Sequence, residues 1–139
     1  MSYATPADMN AQFGEREVIA LTDRDNLGYL DTTVLQGALD NASEEIDAYL
    51  VGRYVVPLLV VSKLLVTYCC DIARYRLSGA QVTEVDVVRN RYKDALRFLE
   101  AVRDGKIDLG ADVAAATDAA TQNLVYYTDG SRLFSRANR

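Results

Sequence analysis

Apolar residues recur at three- and four-residue spacing along three long stretches of the chain, the pattern of helices that bury one face. The first carries Leu35, Ala38, Leu39, Ala42, Ile46, Tyr49 and Leu50. It predicts an amphipathic helix capped by Thr32 or Thr33 and ending near Tyr54, before Val55-Val56-Pro57. Its length is about 30 Å at a rise of about 1.5 Å per residue. The second runs from a Ser62 cap over Lys63 to Leu77, where Leu64, Leu65, Tyr68, Cys69, Ile72 and Tyr75 leave little polar face, so this helix belongs at the centre of the packing. The third begins at Thr83, with Glu84 and Asp86 in its first turn, and runs to Asp104, where Gly105 stops it. Its apolar stripe is Val85, Val88, Tyr92, Ala95, Leu96, Leu99 and Val102.

Shorter signals fill in the rest. Thr5 before Pro6 starts a helix that Gly14 ends after Phe13, and a second short helix covers Glu15 to Leu21. Asp23 to Asp31 is a loop of turn formers. Beyond Lys106 the pattern changes, since Ala111 to Asn123 is nearly all Ala, Thr and Asp and offers no apolar face. Leu124-Val125-Tyr126-Tyr127, the turn Thr128 to Ser131 and Arg132-Leu133-Phe134 then read as a small hairpin. The fold predicted is all-α: a small bundle of four to five helices over residues 1–110, with an extended or hairpin-like C-terminal arm over 111–139. An apolar, aromatic tail after a polar linker finds its partner on another chain or on its own bundle.

Composition narrows the function. The 139 residues suit one domain with a real core. Histidine is absent, which removes the usual general base, the Ser-His and Cys-His nucleophile pairs and the commonest metal ligand. There is also no glycine-rich phosphate loop, paired Cys motif or nucleophile elbow. The expectation is a protein that is not an enzyme and holds no cofactor or metal. Adjacent Cys69 and Cys70 sit among core residues and read as buried free thiols of a reducing compartment. MSYATPADMN lacks the basic and apolar regions of a signal peptide, and the apolar stretch Val55 to Cys70 falls short of the roughly 20 residues of a membrane span. A soluble, cytosolic chain without membrane contact is expected.

The net charge of −5 argues against non-specific nucleic-acid binding, yet it is uneven: residues 1–62 carry −7, residues 63–106 carry +3 and residues 107–139 carry −1. Asp40, Glu44 and Asp47 share one face of the long helix at i, i+4 and i+7, and Arg89, Lys93 and Arg97 form a basic stripe on the last helix. The two stripes are candidates for a contact between subunits, against a contact within one subunit or plain solvation. Asp71, close to the most apolar part of the chain, needs a counter-charge; Arg74, on the same helix, or Arg53 can supply a structural ion pair. Asp23, Asp25, Gly28 and Asp31 match part of a calcium-loop register, but Leu27 and Val34 stand where ligand oxygens belong, so the loop reads as helix-capping carboxylates. In the arm, Tyr126, Tyr127, Arg132, Leu133, Phe134 and Arg136 are candidate partner contacts.

Five segments carry a resemblance. YATPADMNAQFGEREVIALTDRD (Tyr3 to Asp25), EIDAYLVGRYVVPL (Glu45 to Leu58), CDIARYRL (Cys70 to Leu77), RYKDALRFLEAVRDGKIDLG (Arg91 to Gly110) and RLFSR (Arg132 to Arg136) resemble small structural proteins of Mu-like phages and prophages, which are similar in pattern to helical head-tail connectors. The resemblance implies a neck component assembled as a ring on the portal, made in the host cytoplasm and ending in the virion neck. Its partners would be copies of itself, the portal and tail-side neck proteins. DNA would pass as cargo without recognition, since an acidic wall repels phosphates. A different head-completion or tail-assembly module is the alternative.

Overall fold

The computed structural model describes residues 2–79 and 87–110. Five helices make up this part: α1 (Pro6–Phe13), α2 (Glu15–Thr22), α3 (Thr32–Leu50), α4 (Lys63–Ser78) and α5 (Val87–Arg103), with no strand among the described residues. The expected all-α bundle is therefore the fold. The start of α5 expected at Thr83, and Val85 of its stripe, lie outside the described residues, as does the whole arm from 111 on.

The helix ends follow local chemistry. At α1, the Thr5 side chain accepts from the Asp8 backbone N–H at 3.3 Å while the Asp8 carboxylate accepts from the Thr5 backbone N–H at 2.8 Å, a reciprocal box that satisfies two orphan donors. Gly14, at φ 87, is the single residue through which the chain leaves α1 and enters α2. Ser62 caps α4 by accepting from Leu65 N–H. Two boundaries of α3 differ from expectation. Its cap is Asp31, ahead of Thr32 and Thr33, because that carboxylate reaches the N–H groups of both Thr33 and Val34. Its end is Leu50, short of Tyr54. There the Leu50 carbonyl accepts from both Arg53 and Tyr54 N–H, closing a turn that swings the Tyr54 ring into the core.

Helix α4 packs against each of the other four, as its nearly continuous apolar surface predicts; α1 and α2 lie against α3 and α4, and α5 packs on α3 and α4 alone. The core is built from Leu35, Leu39, Ile46 and Leu50 of α3, Leu65, Cys69 and Ile72 of α4, Leu99 and Val102 of α5, and Met9 and Val18 of the short helices, all fully buried. Leu64, expected on the apolar face of α4, is instead 49 % exposed, because it falls beside the α3–α4 connection where no helix covers it. Two ring pairs hold α5 on α4: Tyr75 stacks on Tyr92 at 4.1 Å and Tyr68 meets Phe98 at 4.7 Å.

The capping box makes a pH prediction. Hydrogen bonds from the Thr5 hydroxyl and then its backbone N–H hold the Asp8 carboxyl below the usual carboxylate range. A group whose folded pKa is depressed contributes stability above its unfolded value, and that contribution disappears as pH falls through the folded value. Asp8→Asn should therefore lower the urea midpoint near neutral pH, and the gap to the parent chain should close below about pH 4. A gap that stays constant into acid would show that the box carries no charge-dependent stability.

Candidate functional site

The charged residues divide into those that hold the subunit together and those that face outward. Glu45 belongs to the first group. With its side chain 16 % exposed, it accepts from Arg76 Nε at 3.0 Å and Nη2 at 2.5 Å and from the Tyr92 hydroxyl at 2.9 Å, tying α3 to α4 and α5. Burial, followed by the Glu45 carboxylate, pushes the Tyr92 hydroxyl up to about 12, so it stays a donor at any physiological pH. Sequence reading passed over Glu45. The available signal was its position at the edge of the α3 apolar face, beside Tyr49 and Ala38 rather than on the outer stripe.

Asp40, Glu44 and Asp47 lie on the other flank of α3. Glu45 and Asp47 are separated by about 200° around the helix axis, so α5, docked at Glu45, sits away from the acidic stripe. Asp40 and Glu44 are exposed; Asp40 accepts from the Gln36 amide at 3.1 Å. Asp47 is half-buried and accepts from the Tyr3 hydroxyl, so it also anchors the N-terminal segment. That same hydroxyl accepts from Leu58 N–H at 3.0 Å, and burial first, with the Asp47 bond second, raises its pKa. On α5, Val88, Ala95, Leu99 and Val102 point inward. The periodicity then turns Arg89, Lys93 and Arg97 outward: Lys93 and Arg97 are exposed, Arg89 is half-buried, and Arg97 pairs with Asp94 of its own helix at 3.2 Å. The structure thus places both stripes on one bundle but on different sides of it.

The pairing expected for Asp71 needs correction. Asp71 is buried, but its partners are Gln12 Nε2 at 3.1 Å and Arg91 Nη1 at 3.5 Å, from α1 and α5. Burial raises its pKa, and Arg91 works against that rise more strongly than Arg74 does. Arg74 turns instead to the Phe13 ring, 4.5 Å from its centroid, and to Glu17. Arg53 is remote from Asp71. It donates to the carbonyls of Val102 at 2.8 Å and Ile107 at 3.1 Å and to the Asp108 carboxylate at 2.6 Å, closing the C-terminal end of α5. With the Arg53 side chain one-third exposed, Arg53→Ala should cost about 1–2 kcal/mol in urea unfolding, mostly from carbonyls left without a protein donor. An unchanged midpoint would mean that water replaces the guanidinium fully.

The carboxylates of the 23–31 loop serve the backbone. Asp23 accepts from Leu27 N–H at 2.9 Å and Gly28 N–H at 2.7 Å, which lowers its pKa, while Asp31 caps α3. Among the described residues, no group of three or more His, Cys, Asp or Glu could hold a metal ion. Both thiols are free and buried; burial pushes Cys70 up to about 12 and raises Cys69 as well. No helix among the described residues is long and apolar enough to cross a membrane. Tyr126, Tyr127, Arg132, Leu133, Phe134 and Arg136 lie outside the described residues.

Residues 3–126 match the family described as Bacteriophage Mu, Gp36. The chain is 37 % identical over 140 residues to Gene product J of Escherichia phage Mu, covering 100 % of this chain and 98 % of that protein. It is also 49 % identical over 81 residues to the Mu-like prophage FluMu protein gp36 of Haemophilus influenzae, spanning 58 % of this chain and 56 % of that relative. A match over nearly the whole length of a phage Mu gene product, with a family model over most of the chain, places it: the protein belongs to the bacteriophage Mu Gp36 family of Mu-like phage proteins.

Proposed function

We propose that this chain is a non-catalytic component of the virion neck, a head-tail connector that forms a ring between portal and tail. The observation that supports it is the separation of charge just described. The bundle's own ion pairs use Glu45 with Arg76, Glu17 with Arg74, Asp71 with Arg91 and Asp108 with Arg53. Asp40 and Glu44 on one side, and Lys93 on another, remain exposed. Two different, complementary faces on one bundle can make a head-to-tail contact, and such contacts close into a ring when the rotation between copies permits.

In this reading the partners are other copies of the chain, the portal and tail-side neck proteins, first in the host cytoplasm and then in the virion neck. A net charge of −5 suits a channel wall along which phosphates slide without being held. Native mass spectrometry over a concentration range tests the proposal, with negative-stain images of the chain alone and mixed with the portal of the same phage. A closed ring of uniform copy number is expected in at least one of the two samples. A chain that stays monomeric alone and does not join the portal overturns the connector role.

A further inference from the structure

The connection between α3 and α4 is unusual for a surface segment. Residues 54–62, Tyr-Val-Val-Pro-Leu-Leu-Val-Val-Ser, include no charged side chain, whereas connecting segments run through water and are normally polar. Of the nine large apolar side chains exposed among the described residues, three fall here, Val55, Leu59 and Val60, and two flank the segment, Val51 before it and Leu64 in the first turn of α4; Leu59 is 86 % exposed. The segment is nevertheless anchored. Tyr54 and Leu58 are buried, Leu58 N–H donates to the Tyr3 hydroxyl, and the Tyr54 hydroxyl accepts from Leu109 N–H at 3.2 Å. Its inner residues are fixed to the bundle while its outer ones present apolar surface.

The contact with Leu109 also fixes where the rest of the chain departs. Arg53 holds Ile107 and Asp108, and Tyr54 holds Leu109, so the described chain ends, at Gly110, one residue past a contact with this connection. Residues 111–139 include Leu124, Val125, Tyr126, Tyr127, Leu133 and Phe134, with few charges among them. The intervening residues 111–123 can reach at most about 45 Å. The longest helix, α3, is only about 28 Å long, so every part of the patch is within range. An occupant tethered this closely acts at an effective concentration of roughly millimolar, far above that of free copies in a micromolar solution.

We propose that residues 124–134 of the same chain cover the apolar surface formed by Val51, Val55, Leu59, Val60 and Leu64. The inference stands apart from the connector reading and does not depend on it. Its test uses the full chain carrying Leu59→Cys with Phe134→Cys, compared with Tyr29→Cys with Phe134→Cys. Tyr29 is exposed in the α2–α3 loop at the far end of α3. The native thiols are buried, so the introduced pair reacts under mild oxidation. A monomeric disulfide should form at least about tenfold faster to position 59 than to position 29.

Equal rates at the two positions overturn the proposal. So does a mixture of the two single-cysteine chains, Leu59→Cys and Phe134→Cys, that links between chains as fast as the double variant links within one, since the occupant would then be a second copy. Independently, Leu133→Asp with Phe134→Asp should raise amide exchange over residues 55–62 while leaving α3 and α4 protected. Unchanged exchange there overturns the proposal as well.

Discussion

Leu99→Ala should lower the unfolding free energy by about 3 kcal/mol, whereas Val87→Ala on the same helix should change it by less than about 0.5 kcal/mol. Leu99 is fully buried on the face of α5 that packs on α3 and α4, and Val87 is 63 % exposed. Truncating Leu99 removes apolar surface from the core and leaves a cavity that α5 cannot close by shifting. Tyr92 is stacked on Tyr75 and bonded to Glu45, Phe98 is held by Tyr68, and Arg53 donates to the Val102 carbonyl beyond, so the helix is pinned on both sides of the site. Against a total stability of about 5–15 kcal/mol for a domain this size, the loss is large. Urea unfolding followed by helical circular dichroism reads it as a lower midpoint with the slope unchanged. A loss below about 1 kcal/mol would mean that α5 is not docked as described.

How far the sequence could be read follows the range of each interaction. Thr5-Pro6, Gly14 and Ser62 act within a few residues, and each stands at the boundary where it was expected. Asp31-Thr32-Thr33 presents three potential caps in a row; only the geometry shows that the aspartate reaches two N–H groups. Asp71 fails for the opposite reason. Its sequence neighbour Arg74 lies three residues on, but α1 lies alongside α4 and supplies Phe13 and Glu17 to draw that guanidinium away. Gln12 and Arg91, which do meet Asp71, come from elements whose placement no local pattern encodes. The charged stripes were legible because periodicity alone turns Asp40, Glu44 and Lys93 outward. That Glu45, one residue from Glu44, would knit three helices together required knowing where α5 lies.

The separation of the stripes leads to the most demanding prediction, for assembled chains. Lys93→Glu should raise the concentration needed for assembly by at least about tenfold, and Glu44→Lys should do the same. An exposed attractive pair is worth only about 0.2–1 kcal/mol, but reversal replaces attraction with repulsion, and every interface of a closed ring carries the change. Both residues are exposed and lie away from the core, so circular dichroism and urea midpoints should stay close to those of the parent chain. Mixing the two variants one to one then separates a specific contact from a general effect of charge. If acidic and basic faces meet head to tail, each mutated face finds its complement on the other variant while the remaining faces pair as before. Assembly should return in the mixture, with the variants alternating, and should weaken as salt is raised. A mixture that stays as dissociated as its components would remove the stripe-to-stripe contact from the connector model.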